Sequence, residues 1–434
     1  MRTLIEDVYA RKGTSVQLQG WIQEIRNLSK VKFVILRDRT GDMQCIALKG
    51  KTPDAVFESI AKLTKESVIS LTGQVTENKE SRWGVEILIT DISVINESAA
   101  VLPIDNTDKS KTEIEKRLDY RFLDTRNKKV HTIFSIRSKI ARILTDFFDE
   151  EKFTNINTPK ITRIGVESGA SLFEVNYFGD SAYLSQSPQI YKQMFVAGGF
   201  ERVFELGVVF RAENSNTTRH LTEFTGIDFE MGFINDFTDV MDMIEKMMLT
   251  LLRRLKAESA EQLALLNITL DIPEHVPRIT MREAKDYLRA KGKILSEDDD
   301  FDAEAERMVG EWVKEKYTSD LVFITHYPWK VRPFYHMRTE GKPDETKSFD
   351  MLYRGVEIAT GAQREHRLDV LQAQAEEKGV NFEEMEAYAN IFKYGIPPHG
   401  GVGFGLDRIT QRLLDIGNIR EVVLLPRDPK RVSP

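Results

Sequence analysis

Phe210-Arg211-Ala212-Glu213-Asn214-Ser215-Asn216-Thr217-Thr218-Arg219-His220-Leu221-Thr222-Glu223-Phe224 is a charged run set between two β-like stretches, residues 202–211 and 224–233. A strand, a polar turn and a returning strand predict an antiparallel pair. Two arginines on such a loop can hold a triphosphate, because guanidinium groups pair with phosphate oxygens in a fork. Standing alone, the same pattern also describes an exposed charged hairpin.

Working outward, further strands are predicted at residues 182–184, 321–325, 349–353 and 356–360. Helices are predicted at 187–198, 236–258 and 281–290. Ile136, Ile140, Ile143, Leu144 and Phe147 recur at helical spacing after residue 133. Runs of strands with helices set apart predict an α+β domain on a largely antiparallel sheet. The first hundred residues read as β, with strands at 16–22, 32–36, 43–48, 68–76 and 85–95 and a helix at 53–63. Five strands with a helix between the third and fourth is the order of an OB-type β-barrel, which either binds oligonucleotides or serves as an accessory. The expected division is a barrel over residues 1–103, a linker or hinge over 104–131, and a catalytic domain over 132–434 with a largely helical segment at about 236–331.

The 434 residues, 41% apolar and 30% charged, have an ordinary globular composition. The single cysteine, Cys45, excludes an internal disulfide and a cysteine-based zinc site. No apolar run is long enough to span a membrane, and Arg2, Glu6 and Asp7 charge the N-terminus too early for a secretory signal. These points lead to the expectation of a reducing cytoplasm. The net charge of −7 argues against a nucleic-acid partner, yet residues 26–49 hold six basic side chains and two acidic ones. That locally basic stretch is where phosphate contacts are expected.

Two more segments carry chemistry. Gly400-Gly401-Val402-Gly403-Phe404-Gly405-Leu406-Asp407-Arg408 reads as a glycine-rich turn before a helix with Ile409, Leu413 and Ile416 on one face. It is not a dinucleotide fingerprint, because Arg408 stands where the third glycine of GxGxxG belongs. In Ser185-Gln186-Ser187-Pro188-Gln189-Ile190-Tyr191-Lys192-Gln193, Pro188 can open a helix that sets Gln189 and Lys192 one turn apart.

Taken together, these segments resemble a known family. The Phe210–Glu213 turn resembles motif two of the class II aminoacyl-tRNA synthetases. Gly403 to Arg408 resembles motif three, and the stretch ending at Pro159 resembles motif one. With Gln186 to Gln193, Arg354-Gly355-Val356-Glu357-Ile358 and Gly361-Ala362-Gln363-Arg364-Glu365-His366, the chain resembles the aspartyl-tRNA synthetases of compact archaeal type over essentially its whole length.

The resemblance implies ATP-dependent formation of aspartyl-adenylate and transfer to the 3′ end of tRNA(Asp), or of tRNA(Asp) and tRNA(Asn). Arg211 and Arg408 would be catalytic. Glu213, Arg219, His220, Phe224 and Glu357 would join them in holding ATP, with Phe224 stacking on the base. Glu357 and Thr360 would coordinate Mg²⁺, a hard ion suited to oxygen. Aspartate would be held by Glu167, Gln189, Lys192, Arg211, Glu230, Thr360 and Arg364. Lys192 and Arg364 would select a carboxylate over an amide, and Glu230 would bind the ammonium group or serve only as a strand carboxylate. Glu167 lies in a small-residue loop that can close over the amino acid.

In the barrel, Arg26, Phe33, Gln44 and Glu86 match anticodon-reading positions. Phe33 is either a stacking platform or a core aromatic. Gln23 and Arg82 occupy the positions that separate strict from relaxed tRNA choice. Gln23 matches neither the Trp of strict members nor the His of relaxed ones, and Arg82 keeps the positive charge, so both acceptor ranges stay open. A homodimer through residues 133–159 is implied. Three rivals are an asparagine-specific enzyme, an amide-forming synthetase that uses no tRNA, and an inactive RNA-binding paralogue. Lys192 opposes the first, the complete barrel the second, and intact Arg211, Glu213, Glu357 and Arg408 the third.

Overall fold

The computed structural model describes residues 2–107, 111–163, 172–214 and 217–434. They form two compact units, Met1–Pro103 and Ile104–Pro434. The first is a closed barrel of β1 (Ser15–Asn27), β2 (Val31–Arg37), β3 (Asp42–Leu48), β4 (Val68–Glu77) and β5 (Val85–Asn96), in the spatial order β1-β2-β3-β5-β4. Alternation decides which side chains fill it: Val16, Leu18 and Ile22, then Val34 and Leu36, then Met43, Cys45 and Ala47 point inward. Between β3 and β4, α1 (Asp54–Ile60) adds Phe57 and Ile60 to this core. The β1–β2 register shifts between Ile22 and Glu24, so Gln23 is the extra residue of a bulge.

The basic stretch is less available than its composition implies. Lys32 is buried beside Val34's face of β2, donating to the Phe57 carbonyl at 2.6 Å with its ammonium 4.4 Å from the Phe57 ring. Arg37 is ion-paired to buried Glu66 at 2.7 Å. Arg26, Lys30, Arg39 and Lys49 remain exposed.

The second unit is built on an eight-stranded sheet. Its strands are β6 (Thr154–Asn155), β7 (Arg202–Phe210), β8 (Glu223–Gly232), β9 (Arg278–Thr280), β10 (Leu321–Thr325), β11 (Ser348–Tyr353), β12 (Glu357–Gln363) and β13 (His399–Gly405). The order is β9-β10-β11-β12-β13-β8-β7-β6, antiparallel except for the outer pairs β9–β10 and β7–β6. Two long helices cover one face. The first, α2 (Lys128–Glu150), starts where the Asn127 side chain accepts from the Lys129 and Val130 amides. The second, α4 (Phe237–Glu258), starts at Asp236, which caps Thr238. Their apolar stripes, including Ile136, Ile140, Ile244 and Met248, pack with Phe204, Phe229 and Val402 from the sheet.

The glycine-rich run is not the turn its composition implies. It is the central strand β13, followed directly by a helix, α6 (Leu406–Leu413). Gly401 pairs with Glu230 and Gly403 with Asp228 across β8. A Cβ on Gly401 would lie 2.6 Å from Glu230 Cδ, and one on Gly403 3.0 Å from Asp228 Oδ1. The glycines therefore make room for two carboxylates lying across their own strand.

The segment 236–331 is helical but also supplies β9 and β10. It contains α4, the helix Met281–Ala290, and α5 (Ala303–Tyr317). The stretch 104–131, read above as a linker, is part of the second unit. Its helices Ile114–Asp119 and Arg121–Asp124 are pinned by buried Arg117 and Arg121, which bind Asp124, the Glu421 side chain and the Glu421 carbonyl.

Candidate active site and nucleic-acid face

A cavity of about 560 Å³ opens on the sheet face opposite the helical core. Period-two alternation separates the two faces: Ile227 and Phe229 of β8 enter the core, while Gly226 and Asp228 line the cavity. Gln189, Lys192, Arg211, Glu213, Arg219, His220, Phe224, Glu357, Thr360, Arg364 and Arg408 all line it too. Glu230 does not, and Glu167 lies outside the described residues.

One end of the cavity is a buried set of charges. Lys192 comes from α3 (Gln189–Phe195), a short helix beginning at Pro188. Its ammonium reaches Asp228 Oδ1 at 3.0 Å, the Val402 carbonyl at 3.1 Å and Glu230 Oε2 at 3.3 Å, so all three protons have acceptors. Arg364, at the end of β12, donates through Nε to Glu230 Oε1 at 2.9 Å and through Nη2 to Oε2 at 3.4 Å. Burial pushes the Glu230 carboxyl up, but Arg364 and Lys192 together outweigh it and hold the group below the ordinary carboxylate range. Glu230 is thus an ionised brace beneath two cations, the strand-carboxylate reading of that residue.

The acid that faces the cavity is Asp228, two residues earlier on the same face of β8. Sequence reasoning missed it, although its spacing from Glu230 was the available signal. Gln189 Nε2 is buried and has no hydrogen-bond partner among the described residues. Arg364 Nη1 donates to His336 Nε2 at 3.0 Å, which leaves the imidazole proton on Nδ1. Burial, reinforced by Arg364, drives the His336 pKa well below that of a free imidazole. A ligand carrying both a carboxylate and an ammonium group would meet Lys192, Arg364 and the unpartnered Gln189 Nε2 donor with the one, and Asp228 with the other.

The other end suits phosphates. The Arg211 amide still closes the hairpin onto Thr222 at 2.9 Å, while its half-exposed guanidinium lies 5.4 Å from the Phe224 ring and 4.0 Å from Glu213. The loop is held from behind, with Thr218 accepting from the Ile419 amide and from Gln411. His220 shares a hydrogen bond with Thr217 at 2.7 Å; burial, and then the nearby charge of Arg408, lowers its pKa. Arg408, in the first turn of α6, donates to the Glu357 carbonyl at 3.0 Å and reaches Glu357 Oε1 at 3.4 Å. Asp407 beside it is structural: it accepts from Arg137 at 2.6 Å and from the Thr225 amide at 2.9 Å, joining α6, α2 and β8.

Thr360 donates to Glu357 Oε1 at 3.3 Å. Among the described residues no group of three or more His, Cys, Asp or Glu could hold a metal by itself. The oxygen pair Glu357–Thr360 fits a hard ion that keeps most of its shell as phosphate and water. Arg332, also unanticipated, lines the cavity with its guanidinium 2.8 Å from Asp350 and stacked 3.7 Å over Tyr327.

In the barrel, Arg26 and Phe33 are directly paired across β1 and β2. Phe33 is half-buried and outside the apolar core, so the core reading of it is replaced by an outward ring. Gln44 Nε2 donates to Glu86 Oε2 at 3.1 Å, and Asn78 donates to the same oxygen at 2.9 Å. Arg26 pairs with Glu24 at 2.7 Å, while Arg82 binds Asp42 and stacks 4.0 Å from the Trp83 ring. Gln23 Oε1 is buried without a hydrogen-bond partner among the described residues.

Comparison with known proteins agrees with both units. Residues 113–429 match the model of tRNA synthetases class II (D, K and N), and residues 16–95 match the OB-fold nucleic acid binding domain. The first match spans most of the chain, which therefore belongs to the class II tRNA synthetases. Within that class it stands among the aspartate–tRNA ligases. It is 45% identical over 423 residues to the aspartate–tRNA(Asp) ligase of Pyrococcus abyssi, with 97% of each chain covered. It is 44% identical to the aspartate–tRNA(Asp/Asn) ligase of Methanopyrus kandleri, covering 99% of this chain and 100% of that one. Among solved structures, asparaginyl-tRNA synthetase from Pyrococcus horikoshii bound to asparaginyl-adenylate superposes with a TM-score of 0.94 at 29% identity, with both chains fully covered. No helix among the described residues is long and apolar enough to cross a membrane.

Proposed function

We propose that this chain activates L-aspartate with ATP and passes the aspartyl group to tRNA(Asp). The observation that carries the reading is the buried set Lys192, Asp228, Glu230 and Arg364. With Asp228 turned to the ligand's ammonium group, Lys192 and Arg364 carry two positive charges against the one negative charge of Glu230, an excess that a side-chain carboxylate neutralises and an amide does not.

In the first step an α-carboxylate oxygen of aspartate bonds to the α-phosphorus of ATP. The bond from that phosphorus to the bridging oxygen breaks, pyrophosphate leaves, and no proton moves. Catalysis is then alignment and charge stabilisation. Arg211 bridges the α-phosphate and the carboxylate, and Arg408 and Arg219 face the outer phosphates. Glu213 and His220 hold the nucleotide, and Phe224 offers a stacking face beside the Arg211 guanidinium. Glu357 and Thr360 would hold Mg²⁺, which would supply neutralisation of phosphate charge. In the second step the terminal ribose hydroxyl oxygen of tRNA bonds to the acyl carbon, the bond from that carbon to the phosphate oxygen breaks, and AMP leaves with the hydroxyl proton on its phosphate. Arg26, Phe33, Gln44 and Glu86 read the anticodon, with Phe33 stacking on an unpaired base.

Aspartate-dependent exchange of labelled pyrophosphate into ATP tests this reading. Exchange with asparagine and none with aspartate would overturn it. Gln23 matches neither the strict nor the relaxed pattern and Arg82 keeps the positive charge, so tRNA(Asn) stays open as a second acceptor. Aminoacylation of both purified tRNAs decides that point. We further propose a cytoplasmic homodimer formed through residues 133–159; sedimentation showing a monomer at micromolar concentration would refute the assembly.

A further inference from the structure

The segment 236–331 has no role in the reading above, yet one of its side chains, Glu306, touches Arg219 and Glu357 of the cavity's phosphate end. Helix α5 begins at Asp302, whose side chain accepts from the Ala305 amide at 2.8 Å. Its backbone presses on the β11–β12 turn: a Cβ on Gly310 would lie 2.5 Å from the Gly355 amide nitrogen, and one on Gly355 3.1 Å from the Glu306 carbonyl. That packing sets the first-turn residue Glu306 behind the site. Its carboxylate is 3.2 Å from Arg219 Nη1 and hydrogen-bonded to the backbone of Glu357. The Glu306 side chain is only 16% exposed, against 33% for Arg219.

We propose that Glu306 is a positioning residue for nucleotide binding: it fixes Arg219 and the Glu357 main chain where the outer phosphates and their metal are held. It touches no reacting atom. One carboxylate on the far side of both groups sets the direction of the Arg219 fork and the height of the Glu357 strand end. The inference rests on the ATP-dependent reading above. It gives the helical segment a part in nucleotide binding and none in choosing the amino acid.

The test uses the full chain with Glu306→Gln, which keeps volume and removes charge. Loss of one charge-assisted contact predicts about a five- to tenfold rise in the KM for ATP and in the Mg²⁺ giving half-maximal exchange. The KM for aspartate should move less than twofold. Calorimetric titration with MgATP, without amino acid, should show the same weakening. Adding Arg219→Ala should weaken MgATP binding by less than the two single effects combined. Unchanged ATP and Mg²⁺ dependence, equal rises for ATP and aspartate, or a Glu306→Gln chain that does not fold would each overturn the proposal. If the unmodified chain exchanges nothing with aspartate, the functional reading fails, and MgATP titration of Glu306→Gln still decides the role of Glu306.

Discussion

The cavity and the barrel's outer face use charge in opposite ways. At the buried end of the cavity, Lys192, Asp228 and Arg364, with Glu230 beneath them, are between 0% and 9% exposed, and each leans on another. On the barrel face, Arg26 and Arg82 are both 66% exposed and hold single acidic partners, Glu24 and Asp42. Exposed pairs are worth little and are screened by salt. Buried pairs cannot be opened one partner at a time without leaving a charge uncompensated. The cavity should therefore discriminate sharply and tolerate little change, while the barrel should act through several modest contacts.

The hardest test of that contrast is Lys192→Met. It strips the shared cation from Asp228 and Glu230, for which about 3–5 kcal/mol is expected. Exchange with aspartate should fall by roughly 10³-fold, while calorimetric MgATP affinity changes only a few-fold. An equal loss of both would make Lys192 structural and erase the contrast.

Next comes the strand that makes this burial possible. Gly401→Ala should lower stability by about 3 kcal/mol or more, because the new methyl overlaps the Glu230 carboxyl carbon at 2.6 Å. Gly417→Ala, where no neighbour lies within 4 Å, should stay within about 0.5 kcal/mol. Urea titration compares the two. Similar midpoints would mean that β13 has slack the packing does not display.

This strand also marks where the sequence was legible. The barrel strands and β7, β8, β10 and β11 follow from alternation and β-branched runs, which report directly on a two-faced sheet. Glycine carries no such signal, so β13 reads as a turn until its neighbour's carboxylates are in view. The polar loop after β7 and the turn at Pro188 were visible because arginines and a helix-starting proline are conspicuous. Asp228, Arg332, His336 and Glu306 were not. Their importance comes from strands and helices distant in sequence that converge on one cavity, and a glutamate on a charged helix looks like any solvated one.

A pH test probes a buried imidazole, His399, that feels the charges of Glu230 and Arg364, at lower amplitude. Burial pushes the His399 imidazole down to about 4. Its Nδ1 faces the Pro397 carbonyl at 2.9 Å, so Nε2 accepts from Gln193 at 2.7 Å, and Tyr388 donates to Gln193 at 3.1 Å. The unfolded imidazole titrates near ~6.5. Between these values the unfolded chain binds a proton that the folded chain refuses. Stability is therefore full above pH 6.5 and is lost as pH falls toward 4, by about 3 kcal/mol at most. His399→Gln should flatten that part of the urea-midpoint profile. A parallel profile would place the acid sensitivity elsewhere.

On the barrel side, Phe33→Ala should raise the KM for tRNA about tenfold, as expected for one stacked base. The smallest effect separates real phosphate contacts from apparent ones. Lys30 and Lys49 are exposed, and Lys32 is tied to the Phe57 carbonyl inside the barrel. Each exposed lysine that meets a phosphate should contribute roughly 0.7 to the logarithmic salt slope of tRNA binding. Lys30→Ala and Lys49→Ala should reduce that slope, and Lys32→Met should not. Lys32→Met should instead lower the barrel's melting temperature, because the Phe57 carbonyl at the end of α1 loses its donor. A reduced slope with unchanged melting would mean that Lys32 reaches RNA and that the barrel's basic stretch acts as a whole.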